Sequence, residues 1–235
     1  MTNVAETTFG LVHGSWHGAW CWKLLQNELE EQGYKSIAMD LPIDNPDANF
    51  EDYADVVVDA LKDESNLVLV GHSRAGNVLP RVAGRLATNK LIYLASSFEP
   101  ATIGHPTDQE KKLVPTRNSR KFHESVLQVG DGLTIFDKQS AKELFFHDCP
   151  PEIQTWAADT LRLQRRFKDE PILDVWPKVP QDYIVCNDDK IVNPEWSRYA
   201  VNNWLHANLI EFPSGHSPFL SKPQQLAALL ISLAE

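Results

Sequence analysis

A serine, an aspartate and a histidine, in that chain order and each just beyond a predicted strand, are the residues best placed to do chemistry here. A serine hydroxyl is a poor nucleophile near neutral pH. It needs a base to take its proton, and the base needs a partner that fixes its tautomer. It also needs exposure, which a sharp strand-to-helix turn with small flanking residues provides. Leu67–Val70 is a continuous apolar run, Gly71-His72-Ser73-Arg74-Ala75-Gly76 follows it, and the pattern then predicts a helix over Asn77–Ala87. Ser73 stands at the apex, between Gly71 and Ala75. The common pattern G-x-S-x-G has glycine where Ala75 stands, and here Gly76 comes one residue late. Taken alone, Ser73 could be a helix cap and His216 a surface histidine. The order serine, acid, histidine weighs against that, because Asp189 follows a predicted strand at Gln181–Cys186 and His216 follows one at Leu209–Phe212. Asp188 and Asp189 compete for the acid role. Neighbouring side chains project differently, so one of them reaches the imidazole, and Asp189 is favoured.

Such a triad performs acyl transfer, which develops a negative oxygen that backbone N–H groups must stabilise. One donor is the residue after the nucleophile, Arg74. The other comes from the loop after the first core strand, His13-Gly14-Ser15-Trp16, which makes Ser15 the second. Gly14 lets that backbone turn tightly, and Gly14, Trp16 and His17 are expected around the substrate. The Arg74 side chain is expected in a solvated, structural role. His13 and His17 stand four apart but straddle a loop and lack the glutamate of H-E-x-x-H, so no metal is expected. The chemistry needs no cofactor.

The elements that must hold these residues alternate strand and helix, as in a parallel sheet covered on both faces. Phe9–Val12 and Ser36–Leu41 read as strands, Trp20–Gln32 and Phe50–Lys62 as helices, and Leu91–Ala95 as the strand after the elbow. The stretch 97–178 differs: it has several prolines, many charges and no strong alternating segment. It reads as a helical lid inserted in a single domain whose core is 1–96 and 179–235. Within it, Ser140-Ala-Lys-Glu143 is expected to cap a short helix, and a longer one is expected from Pro151 to Phe167. Helices over Glu195–Leu205 and Pro223–Leu233 complete the core.

Composition narrows the partners. The chain has 235 residues and a formal net charge of −10. That balance argues against sequence-independent binding to nucleic acid or an anionic membrane. No apolar stretch is long enough to span a bilayer, and residues 1–8 lack the features of a signal peptide. Cys21, Cys149 and Cys186 are far apart and form no paired motif, so a reducing, cytoplasmic setting is expected. The oligomeric expectation is a monomer or homodimer.

With these residues set out, a resemblance becomes legible. The segment Leu11-Val-His-Gly-Ser-Trp-His-Gly-Ala-Trp-Cys-Trp22, together with Gly71-His72-Ser73, Ile184-Val-Cys-Asn-Asp-Asp-Lys190 and Gly215-His216, resembles the plant methylesterase and hydroxynitrile lyase branch of the α/β-hydrolases. A group of bacterial α/β-hydrolases, mostly of uncharacterised activity, is more similar still and shares Phe145-Phe-His-Asp-Cys-Pro150. The resemblance spans nearly the whole chain, more loosely in the lid. It implies an α/β-hydrolase fold, and it implies Asp189 as the acid, since that residue precedes the lysine. It also implies a serine esterase acting on a small carboxylic ester. The lyases of this branch carry a lysine after the catalytic histidine and a threonine in the oxyanion loop, where this chain has Ser217 and Gly14. Both departures argue for hydrolysis. The alternatives are a lyase-like, non-hydrolytic use of the same triad, and a hydrolase-like ligand-binding protein with weak esterase activity.

Overall fold

The computed structural model describes residues 7–103, 120–166, 170–205 and 207–235. Residues 1–6 and the part of the expected lid at 104–119 lie outside the described residues. Among the described residues the strands are β1 (Thr8–Val12), β2 (Lys35–Ala38), β3 (Leu67–His72), β4 (Thr88–Leu94), β5 (Val126–Gln128), β6 (Leu133–Phe136), β7 (Gln164–Arg165), β8 (Gln181–Cys186) and β9 (Asn208–Phe212). Six of them form one sheet in the order β2-β1-β3-β4-β8-β9, and every pairing in it is parallel.

Strands β1, β3 and β8 are buried along their whole length, as expected of a sheet covered on both faces, and the apolar run Leu67–Val70 of β3 is continuous. The helix Phe50–Leu61 packs Phe50, Tyr53, Ala54, Val57 and Leu61 inward. Its start is fixed by a capping box, in which Asn49 accepts from the N–H of Asp52 while the Asp52 carboxylate accepts from that of Asn49. The strand order matters for function. The chain leaves β1 toward β2 on one side and later returns to β3 on the other. At such a switch point the loops beyond the strand ends diverge and leave a crevice. The loops after β1 and β3 are the ones that carry Gly14–Trp16 and Ser73.

Several expectations are corrected in detail. Strand β2 ends at Ala38 rather than Leu41. It is an edge strand, and beyond it Asp40 accepts from the Ala19 N–H while the Leu41 N–H bonds the His13 ring instead of a neighbouring strand. The helix expected over Asn77–Ala87 is a 3₁₀ turn, Ser73–Asn77, followed by a short helix, Leu79–Ala83. The Asn77 amide is drawn to the carbonyls of Arg74 and Ser97. Asp137, not Ser140, caps the helix Lys138–Leu144, with its carboxylate accepting from the Ser140 N–H. The helix from Pro151 ends at Thr160, because the chain then extends into β7.

The largest difference lies in the stretch expected to be helical. It also contains a three-stranded antiparallel sheet, β5-β6-β7. Its last strand is two buried polar residues. Gln164 reaches the carbonyls of Ile43 and Arg165 and the Tyr53 hydroxyl, and Arg165 is ion-paired with Glu170 at 2.5 Å and bonded to the Tyr53 hydroxyl. A strand stabilised by polar contacts has no apolar alternation to betray it. No helix among the described residues is long and apolar enough to cross a membrane.

Candidate active site

The end of β3 carries Ser73 in the left-handed region, at φ 52°. A non-glycine residue there is strained, and such strain at a strand-to-helix corner lifts the side chain out of both elements. The corner is held by its neighbours: the Ser97 N–H donates to the Ser73 carbonyl at 3.0 Å, and the Ser96 hydroxyl donates to the Gly71 carbonyl at 2.8 Å. Small residues are needed on both sides. A Cβ on Gly71 would lie 2.7 Å from Leu79, and one on Gly14 would lie 2.9 Å from the Ser73 Cβ and 3.0 Å from the His72 carbonyl oxygen.

Beyond β8 the tight turn buries Asp189 and leaves Asp188 exposed. One Asp189 oxygen accepts from the N–H groups of Ile191 and Val192, at 2.7 and 3.0 Å. The other lies 2.7 Å from His216 Nδ1. Two neighbouring aspartates are thereby separated, and the imidazole is fixed with its Nδ1 proton on the carboxylate. His216 comes from the loop after β9 and is wholly buried. Its carbonyl oxygen accepts from His72 Nε2 at 2.9 Å, and its own Nε2 has no hydrogen-bond partner among the described residues. No hydrogen bond joins that nitrogen to the Ser73 hydroxyl in this structure; in substrate-free sites such bonds are often long and tighten only with substrate.

The oxyanion loop is pinned by two histidines. His13 Nδ1 donates to the Gly14 carbonyl at 2.9 Å, and its Nε2 accepts from the Leu41 N–H at 3.0 Å. In a trans peptide the carbonyl and the following N–H point opposite ways, so this bond turns the Ser15 N–H away from His13. His17 Nδ1 donates to the Ser15 carbonyl at 2.8 Å. Trp16, next in the loop, is held at φ 60°. Burial pushes the His13 imidazole down to about 4 and the His17 imidazole down to about 3, against the pull of their carbonyl partners. Burial and the neighbouring His216 push His72 well below the ordinary imidazole range.

A model of the alpha/beta hydrolase family matches residues 11–229. The chain belongs to that family. Among curated proteins it is 26% identical to methylesterase 2 of Arabidopsis thaliana, over 97% of this chain and 95% of that one. It is 25% identical to methyl jasmonate esterase 1 of Vitis vinifera, over 98% and 97%. Among solved structures, polyneuridine aldehyde esterase superposes with a TM-score of 0.82 at 21% identity, over 98% of this chain and 100% of that one. A pyrethroid hydrolase from Sphingobium faniae JZ-2 superposes with a TM-score of 0.80 at 24% identity, over 97% of each. These two structures establish the α/β-hydrolase fold.

Within that fold, a cleft of about 380 Å³ opens beside the elbow, with Trp16, Arg74, Phe122, Thr134 and Gln164 on its walls. A small inner void shares Arg74 and Gln164 and reaches Gly14 and Ser15. Gly14 and Trp16 therefore face space near the elbow. His17 lines neither, because its ring is packed among Trp20, His72, Phe145, Phe146 and Phe219. The Arg74 side chain, mostly buried rather than solvated, is ion-paired with Glu99. Among the described residues no three His, Cys, Asp or Glu side chains form a metal cluster. The roles of His13, His17 and His72 in holding backbone were missed from sequence. Only the excess of histidine around the two glycine-containing loops could have hinted at them.

Proposed function

We propose that this chain is a carboxylic-ester hydrolase that works through an acyl-enzyme on Ser73. His216 Nε2 takes the Ser73 hydroxyl proton as the oxygen attacks the ester carbonyl. The N–H groups of Ser15 and Arg74 hold the oxyanion, each such donor being worth about 3–4 kcal/mol in the transition state. Asp189 stabilises the imidazolium, which returns its proton to the leaving alcohol. Water activated by the same nitrogen then releases the acid. The substrate enters by the cleft beside Trp16 and Arg74, whose size suits a small ester. Relatives named as methylesterases and a methyl jasmonate esterase support methyl esters as the first class to test.

The observation that carries this reading is the buried 2.7 Å bond from His216 Nδ1 to Asp189, beside a serine strained to φ 52°. A buried imidazole held by a carboxylate through Nδ1, with Nε2 left without a partner among the described residues, is the arrangement a general base needs beside its nucleophile. The test is a panel of small methyl and p-nitrophenyl esters, assayed with the protein and its Ser73→Ala variant side by side. The parent should release p-nitrophenol in a burst equal to the enzyme concentration, and the variant should lose both burst and turnover. Equal rates from the two would remove Ser73 from the mechanism.

A further inference from the structure

The segment Phe145-Phe-His-Asp-Cys-Pro150 lies far from Ser73 in sequence, yet it meets the loop that carries the base. A turn closed by the Cys149 N–H on the Phe146 carbonyl, at 2.9 Å, presents His147 and Asp148 at its tip. Gln154, on the helix Pro151–Thr160, holds the same turn through the Cys149 carbonyl at 3.0 Å. From this rigid support Asp148 accepts the Gly215 N–H at 2.7 Å. The approach is close: a Cβ on Gly215 would lie 2.4 Å from the His147 ring and 2.6 Å from the other Asp148 oxygen. A side chain at Gly215 would therefore push aside the His147 ring and the Asp148 carboxylate that holds the loop. The Phe145 ring lies 5.6 Å from that of His216, tilted by 42°.

The loop 214–216 is also tied within itself, where the Ser214 hydroxyl donates to the Gly215 carbonyl at 3.1 Å, and to the core. The Asp188 N–H bonds the Ser214 carbonyl at 2.9 Å, His72 bonds the His216 carbonyl, and Asp189 bonds the His216 ring. Those three contacts fix the far side of the loop and one ring nitrogen. Asp148 holds the N–H of the Ser214–Gly215 peptide, whose carbonyl Asp188 holds, and loss of the Asp148 contact would free that peptide to turn and swing the His216 imidazole about its bond to Asp189. We propose that Asp148 is a positioning residue for the base: it accepts the Gly215 N–H and so sets the direction of His216 Nε2 toward Ser73. It touches neither substrate nor reacting atoms. The inference rests on the Ser73–His216–Asp189 reading above.

The experiment compares the parent, Asp148→Ala, Asp148→Asn and Ser73→Ala with p-nitrophenyl acetate, measuring burst rate, kcat and KM, with thermal melts beside them. A small misplacement of a catalytic group costs on the order of 10- to 100-fold in rate. Asp148→Ala should lose that much in burst rate and kcat with KM within about twofold. Asp148→Asn keeps an accepting oxygen and should stay within about threefold of the parent. The downfield proton resonance of His216 Nδ1 should persist in the asparagine variant and broaden in the alanine one. If the alanine variant does not fold, Asp148→Glu, which moves the acceptor by one methylene, takes its place with the same expected loss. A burst rate for Asp148→Ala within twofold of the parent overturns the proposal, and so does an asparagine variant as slow as the alanine one. Parent-like turnover by Ser73→Ala instead overturns the triad reading and the positioning role with it.

Discussion

Moving the protein from pH 7.5 to pH 5 should destabilise it through histidines that lie in the site. His13 and His17 are wholly buried and held near 4 and near 3, against about 6.5 in the unfolded chain. In the folded state they stay neutral at pH 5, whereas in the unfolded state they are protonated. Their contribution is therefore fully present above about pH 6.5 and is lost as pH falls toward the folded values. At pH 5 the unfolded state lies about 1.5 units below its imidazole value, so each residue removes about 2 kcal/mol and the two together about 4. His72 is shifted the same way and adds to the loss. The hydrogen bonds give the structural reason: His13 Nε2 already accepts the Leu41 N–H and has no room for a proton. Against a total stability of about 5–15 kcal/mol this is a large fraction. Depressed carboxylates such as Glu64, Asp137 and Glu211 do not interfere, since they release their contributions only below about pH 4.5. Urea unfolding at pH 7.5, 6 and 5 measures the effect directly, and the slope of stability with pH should correspond to about three protons taken up on unfolding near pH 5.5. Stabilities at pH 7.5 and 5 that agree within about 1 kcal/mol would show that these rings are not held neutral.

Four further outcomes are expected. Asp189→Asn should fold normally but lower kcat by about 10⁴-fold, because the amide favours the wrong tautomer of His216; steady-state kinetics with a chromogenic ester checks it. Asp188→Asn, at an exposed position, should leave kcat within about twofold in the same assay. Gly14→Ala brings a methyl to 2.9 Å from the Ser73 Cβ and should cost at least about tenfold in kcat, read against an unchanged far-ultraviolet spectrum. Glu170→Ala removes the carboxylate ion-paired with the buried Arg165 guanidinium and should lower stability by about 3 kcal/mol and Tm by roughly 6–12 °C in a thermal melt.

The chain's own letters carried the elbow, since its requirements are local: an apolar run that becomes β3, then small residues around Ser73. They also carried the parallel alternation, with β8 and the loop to Asp189 readable from Gln181–Cys186 alone. What they could not carry was everything fixed by polar contacts between distant segments. β7 is a strand because Gln164 and Arg165 find buried partners on Tyr53, Ile43 and Glu170, and no hydrophobic period announces that. Asp188 and Asp189 are chemically alike, and in the sequence the resemblance, with the lysine that follows Asp189, set them apart. Their environments diverge when the turn after β8 buries one against the His216 ring and turns the other to water. The same holds for His13, His72 and Asp148, each of which acts by pinning a peptide contributed by another part of the chain or by the next residue. Local propensity and hydrophobic period set which segments become strands and corners. The direction of a hydrogen bond between residues tens of positions apart exists only once the order β2-β1-β3-β4-β8-β9 has brought them to one rim of the sheet.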